Sequence, residues 1–147
     1  METVVGWRLP RVLVVDDNPD HRLLLQDIVA DLGAYVHLAR DGYEAVEFGS
    51  LIPFDLILMD LAMRGMSGEE ATQALRLLGV QCPIFAVTAY VPRHYRSEFR
   101  RYGFDGFIEK PFSIGPISST IQVARDFAAS GDGRNAVKPL RFDDGGR

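Results

Sequence analysis

Five short apolar runs divide this sequence, and each is too short to be a helix. They are RVLVV (Arg11–Val15), YVHLA (Tyr35–Ala39), FDLILM (Phe54–Met59), PIFAV (Pro83–Val87) and GFI (Gly106–Ile108). Mostly continuous rather than alternating, they read as strands buried on both faces. Segments with helical punctuation separate them. Asn18-Pro19 fits an N-cap followed by proline at the first helical position. Leu23, Leu24, Ile28 and Leu32 are expected to form the apolar face of that helix, and Gly33 suits its end. Asp41 with Glu44, and Ser67 with Glu70, read as capping boxes for the second and third helices. RHYRSEFRRYG carries helical spacing through Tyr95, Phe99 and Tyr102, with Gly103 as its stop. Ile114 through Phe127 makes a fifth helix, with Ile117, Ile121 and Phe127 expected in the core. Strands that alternate with helices imply an α/β fold with a parallel sheet covered on both faces and right-handed crossovers.

Composition narrows the function classes. The chain has 147 residues, 47% of them hydrophobic and 24% charged, so one sizeable core can be buried. The core is expected over residues 11–129, after a short leader (1–10) and before a flexible polar tail (130–147). No apolar run approaches the ~20 residues of a membrane helix, and no secretory signal is evident. One cysteine, Cys82, allows neither an internal disulfide nor a cysteine metal cluster, so it reads as a small buried hydrophobe. A reducing cytoplasm fits. The net charge of −4 argues against a direct nucleic-acid binder. Gly131, Gly133 and Ala136 fall in a GxGxxA pattern that neither follows a strand nor opens a helix, so it is rejected as a dinucleotide site.

In open parallel sheets, ligands bind at the carboxyl ends of the strands. Asp16 and Asp17 follow the first strand, Asp60 the third, Thr88 the fourth and Lys110 the fifth. Each alone is ordinary: an aspartate pair after a strand is commonly a solvated loop or a helix cap. Their joint occurrence on one edge is not. Three close carboxylates raise each other's proton affinity, and a divalent cation removes the conflict. Only hard oxygen donors are offered, which selects Mg²⁺ or Mn²⁺ over zinc. A lysine ammonium and a threonine hydroxyl suit phosphoryl oxygens, and an aspartate can form an acyl phosphate. The collection points to phosphoryl transfer onto a carboxylate.

VLVVDDN, DLILMDLAM, FAVTAY and GFDGFIEKPF resemble the sequence blocks of the receiver domain of two-component response regulators, over roughly residues 11–129. The resemblance implies a flavodoxin-like, doubly wound, five-stranded parallel sheet in order 2-1-3-4-5 with five helices. It implies that Asp60 accepts a phosphoryl group from a phosphohistidine on a sensor histidine kinase or histidine phosphotransfer protein. Asp17 would ligate Mg²⁺ directly, Asp16 mainly through water, and the backbone carbonyl of Ala62 would be another ligand beside Asp60. Lys110 and Thr88 would hold phosphoryl oxygens, Thr88 and Phe107 would form the switch, and Lys110-Pro111 would be a cis peptide. Phosphorylation would alter the surface of the fourth helix, fifth strand and fifth helix for an unknown downstream protein.

Several features depart from that pattern or stand beside it. Arg64 occupies a place where the family usually has proline, and reads as a neutral surface residue. No output domain is expected in the polar tail, so the chain reads as a stand-alone receiver or one excised from a larger protein such as a hybrid histidine kinase. Arg93, Arg96 and Arg100 on the fourth helix are candidates for a partner-docking face. His21, His37 and His94 are scattered, and a surface or packing role is expected for each. A phosphorelay intermediate or phosphate sink is the closest alternative function. An aspartyl-phosphate phosphatase would need a cap and a second acid near the nucleophile, and Ala62 is apolar. Only self-catalysed phosphorylation and dephosphorylation are expected, not a metabolic enzyme activity.

Overall fold

A continuous apolar strand can be buried only if its two faces, carried by alternate residues, are both covered. The computed structural model, which describes residues 8–89, 91, 92, 95 and 97–130, meets that demand. The elements run β1 (Arg11–Val15), α1 (Pro19–Asp31), β2 (Tyr35–Ala39), α2 (Gly42–Leu51), β3 (Leu56–Asp60), α3 (Gly68–Leu77), β4 (Ile84–Thr88), α4 (Phe99–Tyr102), β5 (Gly106–Glu109) and α5 (Ile114–Ala129). All pairings are parallel, in the order β2-β1-β3-β4-β5. This is the expected flavodoxin-like architecture. Among the described residues no helix is long and apolar enough to cross a membrane.

Alternation divides the core in two. Leu13, Val15, Ile57, Met59, Ile84 and Ala86 point to one face, where Ala45, Ala71 and Leu75 of α2 and α3 cover them. Val12, Val14, Leu56, Leu58, Val87 and Ile108 point to the other, under Leu25 and Val29 of α1 and Ile117, Ile121 and Ala124 of α5. The central strand β3 is buried at every position, its final aspartate included. Cys82 is buried as expected, and burial pushes its thiol up to about 12.

The helix starts follow local chemistry. Asn18 accepts from the N–H groups of Asp20 and His21, with Pro19 in the first turn. Ser67 and Glu70 form a complete capping box. Asp41 accepts from Glu44 N, but the Glu44 carboxylate turns to Arg40 N rather than to the cap residue, so this second box is only half formed.

Two expectations are corrected. Leu23 and Leu24 are 53% and 48% exposed and do not form the buried face of α1. That face is Leu25 and Val29, with Ile28 and Leu32 half-buried beside them. The run of three leucines permits two helical stripes. The one continued at the i+3, i+4 and i+7 positions starts at Leu25. Among the described residues the fourth helix is four residues, Phe99–Tyr102, and Tyr95, Ser97 and Glu98 before it are not α-helical. Tyr95 N to Pro92 O, Glu98 N to Tyr95 O and Arg101 N to Glu98 O are tighter i+3 bonds, and Glu98 gives no side-chain cap.

Arg76 ties this weaker side together. Its guanidinium donates to the carbonyls of Gly103, Val80 and Cys82 and forms a 2.9 Å ion pair with Asp105. Asp105 also accepts from Ile84 N. Burial raises the Asp105 carboxyl above its ordinary value, and Arg76 opposes that rise. Arg76→Met leaves three carbonyls and a carboxylate without this partner, and is expected to cost about 3 kcal/mol in urea unfolding. Because Asp105 then rises further, the loss is expected to be larger at pH 8 than at pH 5.

Candidate functional site

The parallel sheet brings the carboxyl ends of β1, β3, β4 and β5 to one edge. Asp16, Asp17 and Asp60 meet there, each offering a carboxylate oxygen within 4.8 Å of the others. Asp16 and Asp60 are buried and Asp17 is half-buried. Asp16 Oδ1 accepts from Asn18 N at 2.9 Å, so the cap of α1 fixes the acid beside it. Asp60 Oδ1 accepts from Ala62 N at 3.3 Å. Lys110 Nζ reaches into the same space, 3.4 Å from Asp16 Oδ2 and 3.9 Å from Asp60 Oδ1. The Lys110-Pro111 peptide is cis. Thr88 ends β4, and its carbonyl accepts from Lys110 N at 2.8 Å, just past the end of β5.

Phe107 lies on β5 opposite Ala86 and is half-buried. Its ring is 5.0 Å from that of Phe99, which in turn packs on Tyr95. The Tyr95 hydroxyl donates to the Glu69 carboxylate near the start of α3. Arg100 is exposed on α4, whereas Arg93, Arg96 and His94 lie outside the described residues. The leader up to Trp7 and the tail from Gly131 lie outside them too.

Three residues contribute in ways the sequence did not indicate. His21 is part-exposed and packs on Phe112 as expected, but its Nδ1 is also 3.0 Å from Lys110 Nζ and 3.9 Å from Asp16 Oδ2. Its place three residues after the Asn18 cap, on the first turn of a helix starting just beyond the acidic pair, is the available signal. Gly68 opens α3 so close to β3 that an added Cβ would lie 2.2 Å from the Asp60 carbonyl oxygen. Arg64 matters through its backbone: its N–H donates to Asp17 Oδ2 at 3.2 Å, a bond that proline could not make. His37, by contrast, packs edge-on against Phe54. A separate cavity of about 400 Å³ opens at the opposite ends of the strands, lined mainly by apolar groups such as Ile52, Phe54, Leu78 and Phe127.

The electrostatics follow from three acids and one ammonium. Burial pushes the Asp60 carboxyl up to about 7, and the Asp16 charge adds to the rise. Lys110 and the Ala62 amide pull the other way. The donors are carboxylates alone, a set suited to a hard divalent cation rather than to zinc.

Comparison with known proteins places the chain. The profile of the response regulator receiver domain matches residues 12–122, and the chain belongs to that family. It is 38% identical over 125 residues to the sensor histidine kinase GacS of Pseudomonas protegens, covering 82% of this chain and 14% of that protein. The sensor histidine kinase RcsC of Escherichia coli is 34% identical over 110 residues, covering 75% of this chain and 12% of that protein. The chain thus spans about an eighth of the length of these relatives. Among solved structures, the chemotaxis protein CheY4 of Vibrio cholerae matches with a TM-score of 0.74 and 30% identity, over 78% of this chain and 98% of that one. The receiver domain of the sensor histidine kinase PA1611 of Pseudomonas aeruginosa matches with a TM-score of 0.73 and 28% identity, over 81% and 99%. That structure holds a magnesium ion in its active-site cleft.

The Asp60 environment has a measurable signature. Its folded carboxyl stands at about 7 against an ordinary 3.8, so between those values the folded state binds more protons than the unfolded one. This group's contribution to stability is therefore full below the lower value and lost as pH rises through the upper. In chelator, Asp60→Asn is expected to be more stable than wild type by about 2 kcal/mol at pH 8, with the gap narrowing toward pH 5. Urea unfolding at the two pH values checks it, and a gap independent of pH would contradict the assignment.

Proposed function

We propose that this receiver takes a phosphoryl group on Asp60 from a phosphohistidine and that the change is read by a protein partner. The observation that carries the reading is one buried carboxylate at the end of the central strand, flanked by two more acids and a lysine. In the transfer, an Asp60 carboxylate oxygen attacks phosphorus. The phosphorus–nitrogen bond breaks, and its electron pair leaves with the donor imidazole. An acyl phosphate forms on Asp60.

Mg²⁺, or Mn²⁺ in its place, fits the donor set: Asp16, Asp17, Asp60 and the Ala62 carbonyl would hold it. Such an ion, when bound, neutralises charge on the acids and on the phosphoryl oxygens. Lys110 and Thr88 then hold phosphoryl oxygens, one by charge and one by a hydroxyl. Phosphorylation adds roughly two negative charges and three acceptor oxygens at one strand end. Thr88 moves toward them, and Phe107 follows by exchanging its contact with Phe99. The α4-β5-α5 surface, Arg100 included, changes with it.

The similarity to sensor histidine kinases favours a place in a phosphorelay, with a sensor kinase or a histidine phosphotransfer protein as donor or acceptor. The rim of the site favours docking beside α1 and α5. Leu24 lies one helical turn beyond His21, and Ile114 lies two residues beyond Phe112, which packs against His21. Leu23, Leu24 and Ile114 are exposed, and apolar exposure of that kind suits a protein partner.

Intact-protein mass after incubation with acetyl phosphate and Mg²⁺ tests the acceptor. One phosphoryl adduct is expected on wild type, none on Asp60→Asn, and none on wild type in chelator. If wild type gains no phosphoryl group and beryllofluoride, which mimics one, does not bind either, the reading fails. Return of the label to a histidine phosphotransfer protein would identify a relay.

A further inference from the structure

The imidazole of His21 takes no part in the transfer described above, yet it lies against the group that must meet the phosphoryl oxygens. Its Nδ1 is 3.0 Å from Lys110 Nζ. This is closer than the ammonium stands to Asp16, at 3.4 Å, or to Asp60, at 3.9 Å. An ammonium has three donors and no acceptor, so in this contact Nδ1 is the acceptor. Phe112 fixes the ring from the side, edge-on with centroids 6.3 Å apart. The same Phe112 ring lies 5.9 Å from the Lys110 ammonium. His21 itself is held by α1, where its backbone N–H donates to the Asn18 cap.

The distances have a chemical meaning. A lysine free to pair with a carboxylate closes to ~2.7–2.9 Å. Lys110 stands off Asp60 by 3.9 Å, and its shorter contact is with His21 Nδ1 at 3.0 Å. A phosphoryl group bonded to Asp60 introduces three acceptor oxygens beside that carboxylate. A collapsed Lys110–Asp60 pair would occupy the space these oxygens need. The side chain of His21 is 44% exposed, so it stands at the solvent side of the site rather than in the core.

We propose that His21 is a positioning residue for phosphoryl transfer: its Nδ1 holds the Lys110 ammonium off Asp60, ready for the incoming phosphoryl oxygens. The inference rests on Asp60 being the phosphoacceptor. It goes beyond that reading by giving a role to a residue outside the acid, threonine and lysine set.

The test compares the full chain as wild type, His21→Leu and His21→Asn. Leucine covers the same space but accepts no hydrogen bond, whereas the asparagine amide oxygen can take the place of Nδ1. Phosphorylation rates are measured by intact mass over a range of acetyl phosphate concentrations with Mg²⁺, and Mg²⁺ affinity is measured separately. His21→Leu is expected to lower the maximal rate about fivefold, the size of one ordinary net hydrogen bond. The half-saturating donor concentration and the Mg²⁺ affinity should not change. His21→Asn should recover the rate to within about twofold of wild type. An equal or higher rate in His21→Leu overturns the proposal, as does an asparagine variant as slow as the leucine variant. A loss of Mg²⁺ affinity matching the loss of rate also overturns it, because His21 would then act on the acids. If wild type itself takes no phosphoryl group and binds no beryllofluoride, the phosphoacceptor reading fails first and this one with it.

Discussion

A carboxylate buried at the end of the central strand is the constraint on which the rest of this edge depends. Asp60 closes β3, which is buried at every position. Desolvation disfavours its charge, and Asp16, 1% exposed, makes the charge costlier still. Each neighbouring element answers part of that problem. Ala62 supplies an N–H, the end of β5 leads into the Lys110 ammonium, and α1 supplies His21 beside the lysine. The third helix can start where it does because Gly68 has no Cβ to strike the Asp60 carbonyl. Three acids facing one ammonium leave an excess of negative charge in a confined space, the condition that a divalent cation relieves.

From this pocket, packed groups lead to the opposite side of the sheet. Thr88 and Lys110 are joined through the backbone bond between β4 and β5. One residue before the Phe107–Ile108 pair, Gly106 gives Phe85 room that a Cβ would take. Phe107 then touches Phe99, Phe99 touches Tyr95, and the Tyr95 hydroxyl returns to Glu69 on α3. The chain of aromatic rings thus begins and ends on elements that border the acidic pocket. Its outer part is held by few regular helical bonds, since α4 has only four residues, so Arg76 carries much of the anchoring through Gly103 and Asp105. The proposed switch, a surface that changes with a charge at one strand end, is better served by such loosely capped structure than by a long helix.

Most of the site was legible because each acid sits directly after an apolar run, and such runs identify strands without reference to distant residues. The caps at Asn18 and Ser67 were legible for the same reason: they are chemistry within four residues. Legibility failed where two local solutions compete. The Leu23-Leu24-Leu25 triplet supports more than one helical stripe, and packing in the face that includes Val12 and Val14 takes the one starting at Leu25. It failed again in the segment before Phe99, where helical spacing of aromatics did not outweigh an uncapped start and i+3 bonding.

By itself the sequence determined the alternation of strands and helices and the residues that stand at the strand ends, because hydrophobic period and capping act over a few residues. Its motifs, through the family they resemble, carried the strand order and the role expected of each acid. Only the tertiary structure decided which side chains meet across the edge. His21 and Lys110 are 89 positions apart, and Asp17 and Arg64 are 47 apart. Those meetings depend on the rotation of α1 over the sheet and on the path of the loop after β3. Both are set by how two apolar faces are covered at once, and no local pattern encodes that.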